Sequence, residues 1–93
     1  MTVVRVPGRK SGAIMLFALS TCGWCQKTRN LLDKLGVEYE YLYVDQTHGD
    51  EREKAMREMA VWNPSASFPT IVIDNQRSIV GFKEDEIREA IEK

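Results

Sequence analysis

The chain has 93 residues, of which 43% are apolar, 9% aromatic and 29% charged, a size and balance that suit one small globular domain and exclude a second. A chain this long buries about 60 to 70% of its unfolded surface, enough for one core without disulfide staples or a structural metal, and its composition excludes collagen, a coiled coil and wholesale disorder. Thirteen basic residues against fourteen acidic leave a net charge of −1, so there is no overall basic field of the kind that non-specific nucleic-acid binding uses.

Residues 1–12 carry Val3, Val4 and Val6 and then the turn-rich, basic Pro7-Gly8-Arg9-Lys10-Ser11-Gly12. They read as an N-terminal extension or a frayed edge strand ahead of a domain over 13–93. Ala13 to Leu19 is a continuous apolar run of strand length, the pattern of a strand covered on both faces. Ser20-Thr21 supplies hydroxyls where a helix should begin. Thr28, Leu32 and Leu35, with Leu31 beside them, form its apolar face, and Gly36 stops it.

Glu38 to Val44 alternates in the manner of a strand. Asp45 to Gly49 follows as a loop, and a second helix is expected from Asp50 to about Trp62, with Ala55, Met56, Met59 and Ala60 as its stripe. Asn63-Pro64-Ser65-Ala66-Ser67 is a loop on breaker content. Thr70 to Asp74 and Arg77 to Gly81 form a hairpin about Asn75-Gln76, and Glu84 to Lys93 is a short amphipathic helix through Ile87, Ala90 and Ile91. The order β-α-β-α-β-β-α implies an α/β fold, a mixed four-stranded sheet flanked by helices.

The longest apolar run falls far short of the roughly 20 residues that span a bilayer. It imitates a signal peptide, with Arg5, Arg9 and Lys10 before it. Cleavage near Ser20 would strip the segment most like a central strand, so a cytoplasmic protein with no membrane partner is expected. In a reducing compartment a two-cysteine motif is more often catalytic or metal-binding than structural.

That motif is Cys22-Gly23-Trp24-Cys25, and it contains both cysteines of the chain. A strand before it and a helix after it make it more specific than the same letters elsewhere. Unsatisfied N–H groups and the dipole at a helix start favour an anion, and the thiolate is the attacking species in disulfide exchange. Cys22 is assigned as nucleophile and Cys25, one turn later, as the thiol that resolves the mixed disulfide. Buried structural cysteines are one alternative. Zinc within one chain is another, although a structural site wants four ligands and only these two cysteines and His48 are at hand. A third is an iron–sulfur cluster bridged between two chains.

With Ser20-Thr21-Cys22-Gly23-Trp24-Cys25, Ser67-Phe68-Pro69-Thr70 and Val80-Gly81-Phe82-Lys83-Glu84-Asp85 in this order, the chain from about Ala13 onward resembles the glutaredoxin branch of the thioredoxin fold. The resemblance implies a cis Phe68–Pro69 bond facing the cysteines, with the Phe68 backbone free to pair with an incoming substrate chain. It also implies a substrate groove of Thr21, Gly23, Trp24, Phe68, Pro69, Gly81 and Phe82 beside the catalytic Cys22 and Cys25, with no metal ligand among them. The implied partners are protein disulfides. The Gly81-Phe82 turn is similar to that of redoxins linked to ribonucleotide reductase, which take electrons from thioredoxin reductase. Glutathione-using members carry a Gly-Gly-x-Asp-Asp-like turn here instead. Thioredoxin reductase and glutathione therefore both stand as electron donors, for a protein expected to be a monomer. Gly23 in place of proline accompanies, in that family, an ability to bridge an iron–sulfur cluster as a dimer, which keeps the carrier alternative open.

Among the remaining candidates, Trp24 is expected to be exposed, for contact or packing, and Trp62 to belong to the core. His48 reads as solvated and Asp45 as a strand-end cap or turn residue. Tyr39, Tyr41 and Tyr43 share one face of their strand.

Overall fold

Alternation along the first apolar run sets the layers. The computed structural model describes residues 3–91, and in it Ile14–Ala18 forms the central strand β2 of a five-stranded sheet. Ile14, Leu16 and Ala18 enter a core with Leu31 and Leu32 of helix α1 (Gly23–Leu35) and Ile87 and Ile91 of helix α3 (Glu84–Ile91). Phe17 points the other way, into a second core with Leu42, Val72 and Ala55 and Met59 of helix α2 (Gly49–Trp62). A strand that buries both faces needs apolar residues at every position, which is why its sequence runs unbroken.

β2 pairs in parallel with β3 (Tyr39–Tyr43) and antiparallel with β4 (Thr70–Ile73), which forms a hairpin with β5 (Arg77–Val80). The parallel crossover and the antiparallel hairpin are as expected. Four strands were expected, however, and the sheet has five, in the order β1-β3-β2-β4-β5. The additional strand is β1 (Val4–Val6), antiparallel to β3 in the register Val4 to Tyr41. A tie beyond it draws the extension in, as Arg9 N–H donates to Gly36 O at 2.8 Å and Glu38 N–H to Arg9 O at 2.9 Å. Gly8 permits this approach, because a Cβ there would lie 2.7 Å from Gly36 O. A half-exposed three-residue strand held by loop contacts leaves almost no periodic signal.

Local details depart from expectation in three further places. Neither hydroxyl of Ser20-Thr21 caps α1. The N-cap is Cys22 itself. Ala60 is exposed, so the buried positions of α2 are Ala55 and Met59, with Met56 half-buried. The hairpin turns on Asp74 and Asn75, both with positive φ, and not on Asn75-Gln76. Gln76 N–H closes it on Ile73 O at 3.0 Å, and paired positive φ values match the twist of a tight hairpin. For the last helix, expected to Lys93, residues 92 and 93 lie outside the described ones, as do residues 1 and 2 of the extension. Among the described residues no helix is long and apolar enough to cross a membrane.

Candidate active site

Cys22 sits at the C-terminal end of the β2 side of the sheet, where the chain turns into α1. Its backbone is extended and its Sγ accepts the Cys25 N–H at 3.2 Å. The thiol thus takes the place of the usual hydroxyl or carboxylate cap. Its sulfur lies at the positive pole of α1, whose first turn contains no acidic residue to offset that field. Cys22 is half-buried, and Cys25 behind it is only 1% exposed, packed in the core with α1 and α3. Burial, followed by a side-chain hydrogen bond to Cys22, pushes the Cys25 thiol up to about 12, with the Leu19 N–H pulling the other way. That N–H points at Cys25 Sγ from 3.5 Å. At neutral pH Cys25 is therefore a protonated, protected thiol beneath a more accessible one.

The Phe68–Pro69 peptide bond is cis, as the resemblance implied. Gly81 N–H donates to Pro69 O at 2.8 Å, joining that segment to the turn before α3. Gly81 has φ +86, a left-handed conformation that glycine adopts without strain. Trp24, Phe68, Pro69, Gly81 and Phe82 together line one depression of about 250 Å³. Trp24 is 58% exposed and its ring lies 6.0 Å from that of Phe82 at 27°, with Lys27 Nζ 4.6 Å from its centre. Thr21, just before α1, and Gly23, its first residue, are exposed and do not line the depression.

Two residues read from sequence only as turn or breaker positions organise the loops around the site. Asp45 accepts the Ser20 N–H at 2.9 Å and also the Ser20 hydroxyl, fixing the segment just before Cys22. Those bonds, the hydroxyl's first, hold its carboxyl below the usual range. Asn63, 4% exposed, donates through Nδ2 to Ser67 O at 3.0 Å, Ser67 Oγ at 3.1 Å and Thr70 Oγ1 at 3.0 Å. It accepts the Ser65 hydroxyl at 2.7 Å. The whole turn leading to Phe68 is wrapped around this one amide. A sequence signal did exist, in an asparagine at a helix end followed by hydroxyl residues four and seven positions on.

Of the other residues singled out, Trp62 is half-buried beside the second core. His48 precedes α2 without a side-chain cap. The tyrosines meet Arg29, which donates to Tyr39 Oη at 3.3 Å and Tyr43 Oη at 3.0 Å while its guanidinium lies 4.0 Å from the Tyr41 ring centre.

The sequence and the fold have counterparts among known proteins. The glutaredoxin family model matches residues 14–78. The chain belongs to the glutaredoxin family. Among solved structures, the glutaredoxin from Methanosarcina mazei Go1 is 48% identical, with a TM-score of 0.90 over 96% of this chain and 86% of that one. Methanosarcina acetivorans methanoredoxin is 46% identical, with a TM-score of 0.88 over 90% of this chain and 88% of that one. A glutaredoxin-like 8.6 kDa protein in a rubredoxin operon of Clostridium pasteurianum, itself uncharacterized, is 34% identical over 86% of this chain and 99% of its own length. Glutaredoxin 1 of Rickettsia prowazekii is 34% identical over 67% of this chain, which spans only 62% of that protein. Family and fold make this glutaredoxin one of the thiol-disulfide oxidoreductases, with Cys22 and Cys25 as its cysteine pair.

Proposed function

We propose that this glutaredoxin is a monomeric, cytoplasmic reductase of protein disulfides in which Cys22 attacks and Cys25 resolves. The observation that carries the reading is the asymmetry of the pair, a half-buried Cys22 sulfur holding the Cys25 N–H at 3.2 Å and a Cys25 buried beneath it. The Cys22 thiolate attacks one sulfur of the substrate disulfide. A Cys22–substrate bond forms, the substrate S–S bond breaks, and the departing thiolate takes a proton from solvent. Cys25 then gives up its proton, helped by the Leu19 N–H as charge appears on its sulfur, and attacks Cys22 Sγ. The second substrate thiol leaves, so the substrate gains two electrons and the protein becomes the Cys22–Cys25 disulfide. A dithiol reductant returns it to the starting state.

For the donor, the turn before α3 supports a thioredoxin-reductase-type enzyme. Phe82 fills that turn against Trp24, where glutathione-using members carry a Gly-Gly-x-Asp-Asp-like turn instead. The likeness of the Gly81-Phe82 turn makes ribonucleotide reductase the first protein substrate to try. With dithiothreitol as donor, the purified protein should reduce a protein disulfide catalytically and Cys22→Ser should lose essentially all of that activity. Full activity in the variant would remove Cys22 from the mechanism. NADPH with thioredoxin reductase should then sustain turnover faster than glutathione with its own reductase, and the opposite order would refute the donor.

A further inference from the structure

Phe68 borders two depressions, and only one of them has been described. The second, of about 300 Å³, is lined by Leu19, Val44, Asp45, Arg52, Met56 and Phe68. Phe68 also packs against both cores, so its ring stands where the two faces of the sheet meet. Chain order brackets the nucleophile in the same way. Leu19, whose carbonyl accepts the Cys22 N–H at 3.3 Å, lines one depression, and Trp24, two residues after Cys22, lines the other. Phe68 thus separates a recess on the Leu19 side of the cysteine motif from one on the Trp24 side.

Two charged side chains border the second recess: Asp45 holds Ser20, and one N–H of Arg52 donates to the Asp45 carbonyl at 3.0 Å. The rest of its lining is the apolar surface of Leu19, Val44, Met56 and Phe68, and the first depression offers that of Trp24, Phe68 and Phe82. A polar thiol such as glutathione, with carboxylates at both ends, would set charge against these linings at a desolvation cost. An extended polypeptide pairing with the Phe68 backbone would instead carry side chains in both directions from its cysteine.

We infer that the site selects polypeptide disulfides whose reactive cysteine has an apolar side chain within two residues on each side, one seated against Trp24 and Phe82 and the other against Leu19 and Met56. This rests on the dithiol reading above and adds the substrate class. The test uses symmetrical disulfides of four short peptides, with leucine or serine on the N-terminal side, the C-terminal side, both or neither. Cystamine and glutathione disulfide serve as small references and dithiothreitol as donor. Each apolar flank should raise kcat/KM by roughly tenfold, the scale of a modest hydrophobic pocket, and both together by about a hundredfold. Rates being expressed relative to cystamine in the same variant, Met56→Asn should erase the advantage of one flank and Phe82→Ala that of the other. Equal kcat/KM for all four peptides, loss of the same flank in both variants, or fastest turnover of glutathione disulfide would overturn the inference while cystamine turnover kept the dithiol reading intact. No turnover of any disulfide, cystamine included, would overturn both.

Discussion

Asn63→Ala tests whether one buried amide builds the loop that presents Phe68 to the site. The side chain gives its two amide protons to three acceptors, Ser67 O, Ser67 Oγ and Thr70 Oγ1, so truncation removes about two hydrogen bonds at roughly 1 kcal/mol each. Ser67 O keeps the Thr70 hydroxyl at 2.9 Å, and exposed Ser65 can turn to water, so neither adds a buried unsatisfied group. The vacated space contributes about 0.5 kcal/mol more, on the scale of cavity costs. The sum, about 2 to 3 kcal/mol, corresponds in a domain of this size to a fall in Tm of about 10 to 20 °C. Urea titration and thermal melting read it directly. Asn63→Asp should be worse than alanine at neutral pH, because a carboxylate would face the same acceptors without a proton to give. It should recover as pH falls and the acid regains a proton. A loss below about 0.5 kcal/mol for the alanine variant, or an aspartate variant more stable than the alanine one at neutral pH, would refute the role given to Asn63. Because Ser67 directly precedes Phe68, KM for a protein disulfide should also rise.

Alkaline pH should destabilise the reduced protein through two buried acids. Burial raises Cys25 from 9.0 to about 12 and, with Arg29 opposing, Tyr39 from 10.0 to about 12. The folded state thus keeps these protons longer than the unfolded chain does, so their contribution is whole below pH 9 and is lost as pH rises towards 12. Urea midpoints should fall over that window, and Cys25→Ser should remove the part that begins near pH 9; an unchanged onset in the variant would contradict the burial argument. Arg29→Met should cost about 2 kcal/mol, since it removes charge-assisted bonds to Tyr39 and Tyr43 and the contact with Tyr41. Arg29→Lys should recover less than half, lacking the planar fork; full recovery by lysine in the same titration would show that charge alone matters there.

Elements whose burial follows a simple period were legible in the amino-acid order. β2, α1, the β4–β5 hairpin and α3 all expose or bury residues at the spacing expected for their type, and the cysteine motif sits where a strand hands over to a helix. β1 was legible only as the edge-strand alternative for residues 1–12, because its three residues, two of them exposed, are held by Arg9 and by the contact that Gly8 allows, and both of these depend on a loop far along the chain. The capping of α1 by a thiol was hidden by two hydroxyl residues just before it, one of which is occupied by Asp45 across the fold. Asn63 looked like punctuation because its three acceptors come together only once the loop has closed. The recess behind Leu19 and Met56 had no signature at all, since its walls come from the residue after β2, the turn after β3, α2 and Phe68.

The central claim is that Cys22 attacks and Cys25 resolves, and it is tested most directly by mass spectrometry of Cys25→Ser mixed with an excess of a protein disulfide. The variant should accumulate a covalent complex joined at Cys22 and released by dithiothreitol, whereas Cys22→Ser should form none. A complex joined at Cys25 in the Cys22→Ser protein, or none in Cys25→Ser, would contradict that order of attack.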